Sequence, residues 1–312
     1  MGGGGGGGFF GKLVDPAERA KRVREAEALA QDQDFETEVS STINSLLADL
    51  SNRDTDAINT HLSEIKAALD SDIDGMIDLL FGGSVQKHTY VDGLSDVDAL
   101  VELNDSELKD KSPDDVKAYF VARLKRRFPD TEITKGRLAV TLEFSDIAIQ
   151  LLPAVRERSG WKIPDANGTG WARIKPKEFT DSLSKANRDT GGKVVPAVKL
   201  AKSIISSLPE NRRLTGYHVE ALAVAVFDQY DGPKTPKAML KHFFKEAPSR
   251  ILRPIQDATG QSLHVDDYLG AADSTQRISA ATAVGRIGTR MENADLDHST
   301  ELWNAILDIP PA

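Results

Sequence analysis

The sequence predicts an α+β fold, in which a mixed sheet with flanking helices is followed by a helical C-terminal lobe. Residues 96–103 alternate apolar and polar side chains, as a half-buried strand does. The β-like runs 137–144 and 147–152 are separated only by Ser145 and Asp146, which predicts a hairpin. From Val194 almost to the end, the chain has helical patterns.

Helices are predicted before the sheet. Residues 1–14 begin with a glycine tract and form a predicted flexible tail. Breaker-free stretches predict helices from Pro16 to about Glu36 and then over residues 36–50. A longer helix, ending at Gly82 and Gly83, is predicted from apolar residues at a 3.6-residue period. These residues are Ile65, Leu69, Ile73, Met76, Ile77 and Leu80.

The remaining elements divide the chain into two lobes. A helix is predicted over residues 113–128, and residues 153–192 look rich in loops. Helices are predicted over residues 194–207, 216–230, 236–246 and 274–293. We therefore expect an α/β core with its N-terminal helices over residues 15–185 and a helical lobe over residues 186–312. A ligand cleft is expected between them.

Composition limits the class of protein. Hydrophobic residues make up 40% and charged residues 28% of the 312 residues, as in ordinary globular proteins. The chain has no apolar run of about 18 residues and no basic-then-apolar start, so we expect neither membrane insertion nor export. It has no cysteine, which excludes disulfides and a cysteine nucleophile and is consistent with a cytoplasmic protein.

The net charge of −9, from 39 basic and 48 acidic side chains, argues against a long nucleic acid as substrate. Small anionic substrates need only a few local cations and a metal ion. The short basic run over residues 123–127 is interpreted as a solvated helix face.

Two motifs suggest phosphoryl chemistry. Asp96 and Asp98, two residues apart on a strand, would point to one face with Cα atoms about 6.5–7 Å apart. Such a pair can bind Mg²⁺ or Mn²⁺, which stabilises the attacking hydroxyl and the leaving pyrophosphate. The preceding Gly83 and Ser84 would allow phosphates to approach the backbone and would donate hydrogen bonds to them.

The segment from Gly83 to Asp98 resembles the signature of the DNA-polymerase-β-like nucleotidyltransferase superfamily. Within it, the segment is most similar to the bacterial cyclic-oligonucleotide synthases called CD-NTases, which act in CBASS anti-phage defence and are relatives of animal cGAS. Their form is Gly-Ser-x-x-x-Gly-Thr followed by Asp-hydrophobic-Asp. The chain has Gly-Ser-Val-Gln-Lys-His-Thr and then Asp-Val-Asp, and it departs at His88. The looser overall match covers about residues 36–295.

The resemblance implies a polymerase-β-like nucleotidyltransferase core that makes cyclic di- or oligonucleotides from nucleoside triphosphates, with ATP foremost. It implies Mg²⁺ or Mn²⁺ as cofactor and a regulatory protein encoded in the same defence operon, whereas composition alone predicts no membrane partner. Implied nucleotide contacts are Gly83, Ser84, Lys87 and Thr89 in the first motif, and Lys202, Thr215, Gly216 and Tyr217 in the second lobe. Gly216 stands where the family usually has a serine, and Tyr217 is placed to stack on a base.

The resemblance also implies a third acid, three residues before a proline. Three residues before Pro153 stands Gln150, which is neutral and cannot act as a base. Asp146 lies on the same strand face, but about 13 Å along it, and Glu143 is a further candidate. Asp146 can complete the catalytic and metal site after a local shift, or Gln150 can complete it. The third alternative is a nucleotide-binding protein that has lost turnover.

Other interpretations stay open beside this one. A nucleotidyltransferase that modifies RNA, a protein or a small molecule would carry the same first motif. Lys202 lies in an otherwise apolar helix and needs an anionic partner, which a ligand in the cleft would provide. His218 and Glu220 are expected to make structural hydrogen bonds. Isolated residues do not encode the bases, the linkage or the ring size of a product.

Overall fold

The computed structural model of the chain describes most of its length. The described residues are 21–22, 33–51, 55–70, 75–81, 89, 97–145, 147–158, 160–165, 167–174, 176–255 and 265–309. The predicted flexible tail and most of the predicted helix from Pro16 to Glu36 lie outside them.

The first part of the chain contains both helices and strands, and from Pro176 onward the described residues contain helices without strands. The helices are α1 (Gln33–Asp49), α2 (Thr55–Asp70), α3 (Pro113–Arg127), α4 (Pro176–Asp189), α5 (Val194–Ser206), α6 (Gly216–Val226), α7 (Pro236–Ile251), α8 (Thr275–Leu296) and α9 (Thr300–Ile306). The strands are β1 (Gly75–Phe81), β2 (Val97–Ser106), β3 (Glu132–Lys135), β4 (Val140–Glu143), β5 (Ala148–Glu157), β6 (Gly160–Pro164) and β7 (Trp171–Ile174). The predicted α+β class is therefore confirmed.

The strands form a mixed seven-stranded sheet. Its main order is β1-β2-β5-β4-β3, and β6 pairs with β5 and carries β7 on its other side. The pair β2–β5 is parallel, whereas the other pairs are antiparallel. The predicted hairpin is confirmed as β4–β5, closed by a hydrogen bond from the Phe144 N–H to the Ile147 carbonyl.

The prediction of one helix continuing to Gly82 is wrong. Helix α2 ends at Asp70, and residues Gly75–Phe81 form β1, which pairs antiparallel with β2. The apolar residues of β1 happen to continue the helical period of α2. A run of only seven residues fits a buried strand equally well, and pairing with β2 satisfies its backbone groups.

The expectation of loops over residues 153–192 is also wrong. Strand β5 continues through Pro153 to Glu157, and β6, β7 and α4 follow within the same stretch. The turn between β6 and β7 is fixed by Asp165, whose carboxylate accepts from the N–H groups of Asn167 and Thr169. Local turn chemistry thus closes a hairpin where glycine and proline suggested irregular chain.

The hydrophobic residues form two main cores. In the first, the inner face of the sheet packs against α2 and α3, with Ile65 and Phe120 fully buried. In the second, helices α5 to α9 pack together, and α1 joins them through Phe35, Val39 and Ile43. The first described helix therefore belongs by packing to the helical lobe. Among the described residues, no helix combines the length and the apolar character needed to cross a membrane.

Candidate functional site

Asp98 and Gln150 are directly paired across the parallel strands β2 and β5. Parallel neighbours in register point to the same face, and adjacent strands lie about 4.8 Å apart. Both side chains are half-buried, whereas the residues that flank them along the strands, Val97, Ala99 and Ile149 among them, are buried. Asp98 and Gln150 therefore point away from the face that packs on α2 and α3.

The polar row continues onto the next strand. Thr141 of β4 is the antiparallel partner of Gln150, so the row across three strands reads Asp98, Gln150, Thr141. Alternation along each strand, which the sequence predicts for β2, places these groups together without a loop. The row offers carboxylate, amide and hydroxyl oxygens on one face of the sheet.

The place expected for the third acid is occupied by Gln150. Glu143 is exposed on β4, two residues beyond Thr141, which puts its Cα about 12 Å from that of Asp98 for ideal sheet spacings. Asp146 lies outside the described residues, as does Asp96. The choice between Asp146 and Gln150 as the third metal ligand stays a prediction.

Of the motif residues 83–89, the structure describes Thr89. Its side chain is fully buried. Its hydroxyl donates to Oε1 of Glu220 at 2.5 Å, and its carbonyl accepts from Nζ of Lys202 at 3.0 Å. The predicted contacts Gly83, Ser84 and Lys87 lie outside the described residues.

Lys202 is one of the buried cations of the helical lobe, with 8% of its surface exposed. Its ammonium lies 2.8 Å from Oε1 of Glu220, whose side chain is 1% exposed. The sequence correctly predicts that Lys202 needs an anionic partner, but a partner from the protein itself is present. Glu220 of α6 supplies that charge, and the sequence suggested only a structural hydrogen bond for it.

The start of α6 lies against the same lysine. The Thr215 hydroxyl caps the helix by accepting from the His218 N–H at 3.3 Å. At the first helical residue, Gly216, an added Cβ would meet Cε of Lys202 at 3.3 Å and Nζ at 3.4 Å. The glycine found in place of the family's serine therefore leaves room for the Lys202 side chain to pass toward Glu220.

Tyr217 follows on the same turn and is half-buried. Its ring packs edge-to-face against buried Phe179 of α4, with ring centroids 4.7 Å apart and planes at 61°. This contact holds the tyrosine ring in place beside the start of α6. Its predicted role in base stacking stays a prediction.

A second polar network supports the start of α6 and is not evident from the sequence. The Tyr268 hydroxyl accepts from the Thr215 N–H at 3.1 Å and lies 2.8 Å from Nδ1 of His218. The buried guanidinium of Arg277 donates to Asp266 at 2.8 Å, and Asp266 in turn lies 4.0 Å from Nε2 of His218. Burial lowers the pKa of His218 to about 4, so the imidazole is neutral at pH 7.

The described side chains include oxygen donors of the kind that Mg²⁺ prefers. The described part of the chain contains no cluster of three histidine, aspartate or glutamate side chains that could hold a metal. The described donors, the Asp98 carboxylate and the Gln150 amide oxygen, are hard oxygen ligands and suit Mg²⁺ or Mn²⁺. This part of the site fits such an ion.

Comparisons with known proteins give a domain match and a shared fold. Residues 33–187 match the family model of the SMODS domain, the Second Messenger Oligonucleotide or Dinucleotide Synthetase domain. No curated protein matches the chain by sequence.

Solved structures match over almost the whole chain. CdnC of E. coli MS115-1, solved with ATP, has a TM-score of 0.61 and 16% identity over 86% of this chain and 96% of its own. DncV of Vibrio cholerae in its GTP-bound form has a TM-score of 0.63 and 14% identity over 97% of this chain and 91% of its own. At these identities the likeness establishes the fold, including the helical second lobe. Together with the Gly-Ser/Asp-x-Asp signature, the SMODS match shows that residues 33–187 form a nucleotidyltransferase domain of the CD-NTase type, the second messenger oligonucleotide or dinucleotide synthetases.

Proposed function

We propose that the chain is a metal-dependent synthase of cyclic di- or oligonucleotide second messengers, made from nucleoside triphosphates in CBASS-type anti-phage signalling. The observation that carries the proposal is the pairing of Asp98 with Gln150 on the polar face of the sheet, inside the region that matches the SMODS model. The related structure of CdnC contains ATP and that of DncV contains GTP, which supports triphosphates as substrates.

The residues divide into a metal-binding group and a nucleotide-binding group. Asp96 and Asp98, with Asp146 or Gln150, would hold Mg²⁺ or Mn²⁺. That ion would neutralise phosphate charge and lower the pKa of the attacking hydroxyl. If Gln150 fills the third place, it can contribute only its amide oxygen, so the hydroxyl proton must pass to one of the aspartates.

The nucleotide-binding group surrounds the start of α6. Backbone N–H groups at the N-terminus of a helix bind phosphate well, because they are unpaired within the helix and lie at its positive end. Thr215 and Gly216 form this end, Lys202 lies beneath it, and Tyr217 offers a ring fixed by Phe179. Gly83, Ser84, Lys87 and Thr89 would approach the same phosphates from the first motif.

A regulatory protein partner is part of the proposal. One related structure is a complex of CdnC with a HORMA protein, at a TM-score of 0.61 and 17% identity over 86% of this chain. The present chain has the same fold, and we expect its activity to be controlled by a partner protein encoded in the same defence operon.

The test is incubation of the purified chain with labelled ATP, GTP, CTP and UTP in the presence of Mg²⁺ or Mn²⁺. We expect small products that resist alkaline phosphatase, because a cyclic product has no terminal phosphate. Label in RNA or protein instead would identify a modifying transferase. A requirement for a partner protein would be shown by products that form only when the operon's other proteins are added.

One observation favours a second candidate, a nucleotide-binding protein without turnover. Gln150, the neighbour of Asp98 on β5, is neutral where the family has an acid. Binding of triphosphate by calorimetry, with no product under any metal or partner condition, would support this candidate.

A further inference from the structure

A buried polar cluster joins the first motif to the helical lobe. It consists of Thr89, Lys202 and Glu220, which come from the segment after Ser84, from α5 and from α6. All three are among the buried polar residues. The contacts within it span 113 and 131 residues of sequence. The cluster is therefore a tertiary connection between the two parts of the proposed site.

Glu220 is the centre of this cluster. Its Oε1 accepts both the Thr89 hydroxyl and the Lys202 ammonium, and the same ammonium donates to the Thr89 carbonyl. Each pair of members is thus directly bonded. Hydrogen bonds to a buried charged group are stronger than those between neutral groups, so this triangle holds Thr89 tightly.

The position of Thr89 restrains the phosphate-binding segment. Ser84 stands five residues before it, and a chain of that length spans at most about 18 Å. Asp98, on β2, follows Thr89 by nine residues in the sequence. Chain length thus limits how far Ser84 can lie from Thr89, and Thr89 in turn is bonded to Lys202 and Glu220.

The glycine at the start of α6 points to the same conclusion. Gly216 and Glu220 are one helical turn apart and lie on the same face. Lys202 crosses that face within 3.3 Å of where a Gly216 Cβ would be, and reaches Glu220. The absence of a side chain at Gly216 thus allows Lys202 to pass along the helix that would bind the triphosphate.

We propose that Glu220 is a positioning residue of the nucleotide site, which fixes Thr89 and the Lys202 ammonium together and so sets the affinity for the triphosphate. This inference rests on the proposed function, because it assumes a triphosphate between the first motif and α6. Glu220 itself touches the two positioned residues and acts through them.

The test measures the affinity for ATP and GTP by calorimetry, with Ca²⁺ present in place of Mg²⁺ to slow turnover. The first variant is Thr89→Val, which removes the hydroxyl, keeps the shape and leaves the Lys202–Glu220 pair intact. We expect its Kd for the triphosphate to rise up to about tenfold, because Thr89 and the Lys202 ammonium are then no longer held in place before the triphosphate binds. Thr89→Ser restores the hydroxyl and should return the Kd to within about twofold.

Glu220→Gln extends the test to the centre of the cluster. Its side chain keeps the volume but not the charge, so we expect a larger loss of affinity than for Thr89→Val. The matched control is Glu36→Gln, since Glu36 is 2.6 Å from another buried lysine, Lys237, on the helical lobe. This control can lower the free energy of unfolding, but it should leave the Kd unchanged.

The outcomes separate this inference from the proposed function. Equal Kd values for wild type, Thr89→Val and Glu220→Gln would overturn the inference, as would a loss of affinity in Glu36→Gln of the same size. Tight triphosphate binding that follows the expected order, without any product, would contradict the synthase and leave the positioning role supported. Where products form, KM should rise in Thr89→Val with little change in kcat, because the lost contact positions groups that bind the substrate.

Discussion

Asp98 and Gln150 lie side by side on the parallel strands β2 and β5, with their side chains on the same face of the sheet. The position three residues before Pro153 is thereby adjacent to the second aspartate of the Asp-x-Asp motif, as a shared metal site requires. A glutamine there keeps an oxygen donor and removes one negative charge. The expected consequence is a site with a weaker attraction for divalent cations.

Restoring the acid tests this consequence. Gln150→Asp places a second carboxylate about 4.8 Å from the Asp98 strand position, and we expect affinity for Mn²⁺ to rise at least about tenfold, because opposite charges attract strongly in a partly buried site. Mn²⁺ titration followed by calorimetry measures this. Gln150→Asn, which stays neutral, is the control. Unchanged Mn²⁺ affinity in Gln150→Asp would show that this position is not part of a metal site.

Crowding Lys202 is expected to impair nucleotide binding. In Gly216→Ala the new methyl group would lie 3.3 Å from Cε of Lys202, closer than ordinary van der Waals contact. Because that lysine is fixed by Glu220, we expect triphosphate affinity to fall severalfold, whereas the free energy of unfolding should change by less than about 1 kcal/mol, since alanine is a better helix residue than glycine. Calorimetric titration and urea denaturation measure the two effects. Unaltered affinity would show that the lysine moves aside freely.

Two glycines of α8 give a matched pair for stability. An alanine at Gly288 would place its Cβ 2.8 Å from the backbone oxygen of Phe244, which cannot move without displacing α7. At Gly285 the nearest atom is Cγ of Pro248 at 3.5 Å, an ordinary contact. We expect Gly288→Ala to destabilise the protein by about 2 kcal/mol, through overpacking. Gly285→Ala should stabilise it by about 0.5–1 kcal/mol. Urea denaturation that ranks the two variants in the opposite order would contradict this packing.

His218 makes stability depend on pH. Its pKa is lowered from 6.5 to about 4 in the folded protein, chiefly by burial, with Asp266 and Arg277 acting in opposite directions. The unfolded chain therefore binds more protons between these values. The stabilisation is fully present above pH 6.5 and is lost as the pH falls toward 4, with a loss of about 2 kcal/mol between pH 7.5 and pH 5.

The measurement is urea denaturation of wild type and His218→Gln at both pH values. The variant should lose less stability on acidification than wild type does, by about 2 kcal/mol. The same pH dependence in both proteins would mean that another group is responsible.

The sequence predicts the strand of Asp98 and its face correctly, because alternation over β2 is a local property. The place of Gln150, three residues before Pro153, follows from the resemblance, whereas its pairing with Asp98 is a contact between distant strands that no local pattern predicts. Strand β1 is missed because its apolar residues extend the helical period of α2. Only pairing with β2, which is a tertiary contact, distinguishes the two.

The cluster of Thr89, Lys202 and Glu220, in contrast, could not be predicted from the sequence. The apolar surroundings of Lys202 indicate that its charge must be paired, yet they do not say with what. Glu220 lies 18 residues further along the chain, and Thr89 is 113 residues before the lysine. Packing of α5 on α6 brings these groups together, and no local pattern in the sequence encodes that packing.

The most direct test of the synthase is the activity of Asp98→Asn beside that of Glu102→Gln. Both acids lie on the same face of β2, but Glu102 is paired with Ala154 in register and lies 4.0 Å from Arg156, away from Gln150. The readout is phosphatase-resistant product formed from labelled triphosphates with Mg²⁺ or Mn²⁺. We predict that Glu102→Gln keeps wild-type activity, whereas Asp98→Asn loses at least about 100-fold, because a metal ligand stabilises the transition state by several kcal/mol. Equal product formation by wild type and Asp98→Asn would contradict the account.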